Sequence, residues 1–204
     1  MQQAMTPKKD EVITKISKNM DMILGDLDII FDTGDVQIRV GKVKKFIEEN
    51  NLKDEYDYIL IDSPPTISLF TDAALLASDY YLVPVKIDQY SILGATSLIS
   101  VVKNLEYNFT HKINQLGFIY TNTDENMTDK TRRIKDEFEN IKENHHIDDD
   151  LYFFSSQFSY VRDLMVGVRG NIASNYTKSR NDINAICHEL IERLDVLERS
   201  DESE

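Results

Sequence analysis

Short apolar runs alternate along the chain with longer stretches in which apolar residues recur every three or four positions. The apolar runs predict strands at residues 27–31, 58–61, 80–87, 116–121 and 151–154. The helical spacing predicts helices at residues 40–50, 71–77, 93–105, 128–141 and 179–197. Because strands that alternate with helices are typical of βαβ units, the pattern predicts an α/β fold with a largely parallel sheet.

The two ends of the chain differ from this pattern. Residues 1–22 are polar and lysine-rich with sparse apolar positions, which predicts a helix or a frayed arm. Residues 198–204 form an acidic tail. We therefore expect one α/β domain over residues 23–197, preceded by the arm and followed by the tail.

The apolar run at residues 58–61 ends in Asp62 and is followed by Pro64 and Pro65. A run without polar alternation indicates a strand buried on both faces, and the two prolines predict that the chain leaves it as a loop. Ligands of open α/β sheets bind at the carboxyl ends of the strands, where a carboxylate can hold Mg²⁺ through water. Asp62 is thus a candidate metal ligand; the alternative is a residue that only caps the turn.

Composition narrows the kinds of function and the cellular locations that the sequence favours. With 23 basic and 36 acidic residues the formal net charge is −13, which disfavours nucleic-acid binding by the surface as a whole. The sequence contains no apolar run of membrane-spanning length and no secretory signal at its first residues. These features predict a cytoplasmic protein.

The last predicted helix carries an acidic polar face beside its apolar stripe. The acidic residues are Asp182, Glu189, Glu192 and Asp195. Since anionic lipid would repel this face, we expect the helix to pack on the core rather than to bind a membrane. Cys187 is the single cysteine and is predicted to be a small core residue.

Four segments in order resemble the ParA/MinD/Soj family of deviant Walker ATPases. They are YDYILIDSPP at residues 56–65, DAALLASD at 72–79, LVPV at 82–85 and LG at 93–94. They match the family's Walker B strand ending in D-x-P-P, its following helix, a strand of the "vlvPv" type and a glycine that opens the next helix. The resemblance implies the doubly wound P-loop NTPase fold, with ATP and Mg²⁺ as cofactors of the family.

Site residues follow from this resemblance position by position. Asp62 matches the Walker B aspartate, which positions Mg²⁺ and water and would be the catalytic residue. Thr121, Asn122 and Asp124 fall where the family begins its adenine-contacting segment. Residues 156–163 match a second base-contacting stretch, in which Ser-Gln-Phe stands where the family has a proline.

Basic residues in the C-terminal half would contact DNA if the family pattern holds. In ParA-like proteins such residues form a nonspecific DNA-binding face of the ATP-bound dimer; the candidates here are Arg132, Arg133, Arg162 and Arg169. The alternative is an ordinary mixed-charge surface, because acidic residues flank the first pair. The resemblance also implies a ParB-like partner protein or a ParA-type dimer mate, and no membrane.

The phosphate-binding loop of the family has no match in these 204 residues. The one Gly-Lys pair, Gly41-Lys42, has six residues between Gly34 and Gly41 where a P-loop needs four. Val43 stands where Ser or Thr must meet Mg²⁺, so we expect Lys42 to lie on a solvated helix face. The P-loop strand is accordingly expected to be missing, and binding or hydrolysis of ATP by these residues alone is disfavoured.

Three hypotheses remain open. The first is a ParA-like partition protein, truncated and unable to hydrolyse ATP alone; a gene fragment, a separately started piece and a pseudo-ATPase are equally compatible with it. The second is a catalytically dead interaction module that binds a ParA-type ATPase or its partner protein. The third is another ATPase of the superfamily, one that positions polysaccharide-export or conjugation machinery.

Overall fold

The structure, a computed structural model, describes residues 6–25, 39–64, 66–124, 126–140 and 151–201. The chain divides into two units. The first comprises Met1–Asp79 and Asn104–Ile113, and the second Tyr80–Lys103 and Asn114–Glu204. The strand predicted at residues 27–31 lies outside the described residues.

The described residues of the first unit form a hairpin and four short helices. Its elements are α1 (Lys9–Val12), β1 (Ile13–Ser17), β2 (Met20–Ile23), α2 (Lys42–Glu49), α3 (Leu52–Glu55) and α4 (Leu69–Leu76). The prediction of a helix at residues 40–50 is confirmed: Val40 and Ile47 are buried, and the exposed Lys42 lies in the first turn. Helix α4 begins at Leu69, before the predicted Thr71 cap, and the Thr71 hydroxyl instead donates to the Thr66 carbonyl oxygen at 2.6 Å.

The N-terminal arm is not helical beyond the short helix α1, so the prediction of a helix or a frayed arm is wrong for residues 13–22. β1 and β2 pair antiparallel, with Ile13 opposite Ile23. The β-branched residues of β1 favour extended backbone, and the Tyr56 hydroxyl donates to the Asp21 carboxylate in β2 at 2.7 Å. A local propensity and one distant hydrogen bond thus select the hairpin.

The strand predicted at residues 58–61 is also wrong. Within the described ranges no strand pairs with this segment, and it runs through Asp62 without regular structure. Its apolar side chains are open to solvent: Tyr58 is 62% and Leu60 is 89% exposed. A strand is stable only when its ladder groups are paired, and here the described residues supply no partner.

The second unit is built on a parallel three-stranded sheet in the order β3-β4-β5. Its elements are β3 (Tyr80–Lys86), α5 (Gln89–Phe109), β4 (Asn114–Thr123), α6 (Asp129–Glu139), β5 (Phe158–Ser159), α7 (Arg162–Met165), a 3₁₀ turn (Ala173–Asn175) and α8 (Thr177–Asp201). The predicted parallel sheet and the α/β class are confirmed. The α5 helix starts four residues before its predicted start because the Asp88 carboxylate accepts hydrogen bonds from the Tyr90 and Ser91 amides.

Other predicted elements of this unit are confirmed with small changes. The Thr128 hydroxyl accepts a hydrogen bond from the Thr131 amide at 3.2 Å and caps α6, as one of the two predicted caps. The predicted strand at 151–154 is reduced to a single parallel bridge between Phe153 and Phe118. Cys187 is exposed, so its prediction as a core residue is wrong.

The core of the second unit centres on Phe118 in β4. Its ring lies 5.0 Å from that of Phe138 and 5.1 Å from that of Phe153, and Phe118 itself is fully buried. Further buried members of this core are Val83, Val85, Ala95, Ile99, Tyr120 and Leu151. The run from Leu116 to Tyr120 is buried at every position, as expected for a parallel strand covered on both faces.

Gly117 allows residues 151–154 to approach β4. The Phe118 amide donates to the Tyr152 carbonyl oxygen at 2.8 Å, and the Phe154 amide donates to the Phe118 carbonyl oxygen at 2.9 Å. Gly117 has a φ of +149°, and an added Cβ would lie 2.8 Å from the Tyr152 oxygen. A side chain at this position would therefore meet both backbone strain and a clash.

We expect Gly117→Ala to lower the free energy of unfolding by at least about 2 kcal/mol, because strain and clash add. Gly94→Ala in α5 is the matched control: an added Cβ there meets nothing within 4 Å, and the substitution should stabilise by about 0.5–1 kcal/mol. Urea unfolding followed by circular dichroism measures both. Equal effects of the two substitutions would contradict the close approach at Gly117.

Candidate nucleotide-binding site

The carboxyl ends of β4 and β5 lie side by side. Thr121 pairs with Phe158, Thr123 pairs with Ser159, and the Tyr160 amide donates to the Thr123 carbonyl oxygen at 2.8 Å. The structure therefore brings together the two stretches that the sequence comparison with the ATPase family selected, residues 121–124 and 156–163. They meet at the sheet edge where ligands of open α/β sheets bind.

Asn122 forms an irregularity in this pairing. The register between β4 and β5 shifts between Thr121 and Thr123, and Asn122 between them has a φ of +57° and is exposed. Asparagine tolerates this left-handed conformation better than most residues. Asp124 follows, with its carboxylate accepting a hydrogen bond from the Asn126 amide at 2.9 Å. Both side chains stand at the end of the strand, where a ligand could reach them.

The segment that leads into β5 is bound by a buried carboxylate of α8. Glu189 accepts four hydrogen bonds, two on each carboxylate oxygen. On Oε1 the donors are the Ser155 amide at 2.7 Å and the Tyr152 hydroxyl at 2.8 Å; on Oε2 they are the Ser156 amide at 2.8 Å and the Ser155 hydroxyl at 3.0 Å. Every donor belongs to residues 152–156, so Glu189 holds this stretch at several points.

These hydrogen bonds determine the ionisation of Glu189. Burial acts to raise the pKa of the carboxyl group, but hydrogen bonds from Ser155, Ser156 and Tyr152 outweigh it and lower the pKa to about 2. Burial, with the neighbouring Glu189 carboxylate, raises the pKa of Tyr152 above its ordinary value. Glu189 is accordingly an anion and Tyr152 a neutral donor at neutral pH.

A second carboxylate of the same helix holds β5 itself. Asp182 accepts a hydrogen bond from the Ser159 amide at 2.9 Å. Sequence reasoning assigned Asp182 and Glu189 to a solvated acidic face and missed both roles. A signal was present: the two residues are seven positions apart, and each adjoins the apolar stripe of the helix, so they fall at the edge of the buried face.

Asp62 lies in the first unit, on the exposed segment that pairs with no strand of the described residues. Across the part of the chain that the structure describes, no group of three or more His, Cys, Asp or Glu side chains is placed to hold a metal ion. A single carboxylate fits Mg²⁺ only as one contributor, beside water and the phosphates of a nucleotide. Gly41, which precedes Lys42, has right-handed helical backbone, and residues 34–38 of the Gly-Lys stretch lie outside the described residues.

The four candidate arginines are exposed and belong to the second unit. Arg132 lies on α6 beside Arg133 and forms an ion pair with Asp129 at 3.1 Å. Arg162 begins α7.

Arg169 lies in a loop that Tyr176 closes: the Tyr176 hydroxyl accepts from the Arg169 amide at 2.7 Å and donates to the Gly170 carbonyl oxygen at 2.9 Å.

In the described residues, none of the helices is long and apolar enough to cross a membrane.

The parallel sheet, with polar residues at its carboxyl edge and helices between its strands, defines an α/β fold of the P-loop NTPase class. Residues 2–115 match the profile of a family described as an AAA domain. The chain belongs to this family, in its ParA-type branch of P-loop ATPases.

Relatives agree with this assignment. The sporulation initiation inhibitor Soj of Bacillus subtilis is 33% identical over 86 residues, which are 42% of this chain and 33% of Soj. The chain spans less than half the length of the curated relatives that it matches.

Two solved structures share the fold. Apo McdA from Cyanothece has a TM-score of 0.73 at 15% identity and covers 90% of this chain and 73% of McdA. A plasmid partition protein of Borrelia burgdorferi bound to AMPPNP has a TM-score of 0.61 at 19% identity and covers 92% of this chain and 69% of that protein.

The Glu189 carboxylate gives the folded state a specific dependence on pH. Its pKa in the folded state lies below the value of 4.5 that applies without these contacts, so its stabilisation is full above about pH 5 and is lost as pH falls towards 2. The shift corresponds to about 3 kcal/mol.

We expect Glu189→Gln to remove this contribution, because an amide presents one acceptor oxygen where four donors converge. The difference in unfolding free energy between wild type and variant, measured in urea across pH 2–7, should be about 3 kcal/mol at neutral pH and shrink towards pH 2. Glu192→Gln, exposed on the same helix, is the control. A difference that does not vary with pH would show that Glu189 is not ionised in this network.

Proposed function

We propose that this chain is a partition protein of the ParA type, acting in the segregation of plasmid or chromosomal DNA in the cytoplasm. The observation that carries the proposal is the junction of residues 121–124 with residues 156–163 at the carboxyl edge of the sheet. The family resemblance assigns base contact to both stretches, and their meeting at one sheet edge supports a nucleotide base as the ligand there. The AMPPNP bound to the Borrelia protein supports an adenine nucleotide as the ligand.

In this proposal Thr121, Asn122 and Asp124 contact the base, and residues 159–162 form the adjoining wall. Asp62 is the Walker B carboxylate that would help to hold Mg²⁺ on a bound triphosphate. When bound, ATP would supply the bond that the family's reaction breaks, and Mg²⁺ would supply positive charge at its phosphates. These 204 residues lack the phosphate loop pattern, so they do not hydrolyse ATP unless another polypeptide contributes that loop.

The exposed arginines would supply the DNA contact of the proposed protein. Arg132, Arg133, Arg162 and Arg169 are open to solvent and so free to approach a phosphate backbone. The net charge of −13 opposes tight binding by one chain, so the contact would be weak, salt-dependent and strengthened by dimerisation. The partners in this proposal are a ParA-type dimer mate and a ParB-like protein.

One observation favours the second candidate, a catalytically dead interaction module. The segment from Tyr58 to Asp62 exposes apolar side chains, Leu60 most of all, and its backbone pairs with no strand of the described residues. Such a segment can add to the sheet edge of another protein by main-chain pairing. A ParA-type ATPase or its partner protein would be the target of that contact.

A nucleotide titration separates the two candidates. We expect ATP, added to about 10 mM because a site without a phosphate loop binds only in the millimolar range, to shift the amide resonances of residues 121–124 and 159–162. Tripolyphosphate, which lacks a base, is the control and should leave these resonances in place. A flat ATP titration would eliminate the partition ATPase site and leave the interaction module.

Hydrolysis provides a further test with a matched pair of variants. We expect wild type, Asp62→Asn and Asp57→Asn, which lies on the same exposed segment, to release phosphate from ATP at the same background rate. The physical reason is that Asp62 has no triphosphate held against it in these residues. Turnover by wild type that Asp62→Asn abolishes and Asp57→Asn retains would show a working phosphate site within the chain.

A further inference from the structure

Two carboxylates of α8 hold the base-side segment from behind. Glu189 binds residues 152–156, and two helical turns away Asp182 binds the Ser159 amide. Between them they accept hydrogen bonds from three backbone amides of the stretch from Ser155 to Ser159. These amides lie before or at the short β5, where the two-residue strand offers few ladder bonds of its own.

The position of this stretch decides the geometry at the sheet edge. The Ser159 amide donates to Asp182, and the next amide along the chain, that of Tyr160, donates to the Thr123 carbonyl oxygen. A shift of Ser159 would therefore move the wall formed by residues 159–162 away from Asn122 and Asp124. β5 has only two residues, so the sheet pairing alone is a weak restraint.

Glu189 satisfies its four donors only as an ionised carboxylate. Glu189 has four donors on two oxygens, and all four would compete for one oxygen in a glutamine. Glu189 is buried, so a donor left without an acceptor at this position would be costly. The donors would therefore move rather than stay unpaired. The restraint is thus specific to charge and not only to side-chain size.

We propose that Asp182 and Glu189 are positioning residues for the base-side wall of the nucleotide site, acting through the backbone of residues 155–160. This inference rests on the proposed function for the identity of the ligand. Neither carboxylate touches the nucleotide. They preorganise the segment, so that binding does not have to order it first.

The test uses Asp182→Ala, which removes the acceptor of the Ser159 amide and leaves Glu189 in place, together with Glu189→Gln. Asp195→Ala, exposed on the same helix, is the control. Two quantities are measured on the full chain below the unfolding temperature of each variant: amide hydrogen exchange at residues 155–160, and the ATP affinity from the resonance shifts of residues 121–124. The affinity is read from the resonances of the folded protein, so a general loss of stability would leave it unchanged.

We expect exchange at residues 155–160 to accelerate by about tenfold in both variants while β3 and β4 stay protected. The ATP affinity should fall by about tenfold, and Asp195→Ala should match wild type. Unchanged exchange and an unchanged ATP affinity in Asp182→Ala would overturn the proposal, even if Glu189→Gln fails to fold.

Failure of the proposed function is a different outcome. If wild type shows no ATP-dependent shift, the base site is wrong and the positioning role for a nucleotide is overturned with it. The exchange data then still decide whether the two carboxylates hold residues 155–160. Accelerated exchange with an unchanged ATP affinity would equally overturn the role in binding.

Discussion

Satisfaction of backbone hydrogen bonds around β4 is the constraint on which the second unit depends. β4 pairs with β3 along one edge and, along the other, with residues 152–154 and β5. Its central residues are buried on both faces, so an unpaired amide there would lose its water without compensation. Beside the short β5 ladder, the carboxylates of α8 accept the hydrogen bonds of the Ser155, Ser156 and Ser159 amides. Strand, bridge and helix thus form one continuous set of bonded amides.

The same constraint explains why one of two similar apolar runs forms a strand and the other does not. The run in β3 became a strand because β4 lies beside it with matching register. The run from Tyr58 to Ile61 is at least as apolar, yet the described residues offer it no strand neighbour and its first three side chains are exposed. Hydrophobic pattern can indicate that a segment suits a strand, but the pairing partner decides whether it forms one.

Much of the second unit could be predicted from local pattern. The parallel strands, the Thr128 cap and the long last helix follow from periodicity and capping chemistry. The hairpin at residues 13–23 could not, because it depends partly on a contact between Asp21 and Tyr56, thirty-five positions away.

The candidate site shows the same division between local and distant information. Family resemblance located residues 121–124 and 156–163 separately, and only the fold shows that they are neighbours. Glu189 was missed because a charged residue on an amphipathic helix is usually solvated. Its role becomes visible only when the donors of a loop more than thirty residues earlier are placed around it.

In the loop closed by Tyr176, main-chain atoms rather than the Arg169 side chain make the contacts that hold the loop. The phenol fixes the main chain on both sides of the peptide bond that joins Arg169 to Gly170, and the guanidinium projects from this frame without helping to hold it. The side chain at this position, and with it the charge presented to solvent, can therefore change while the loop keeps its shape.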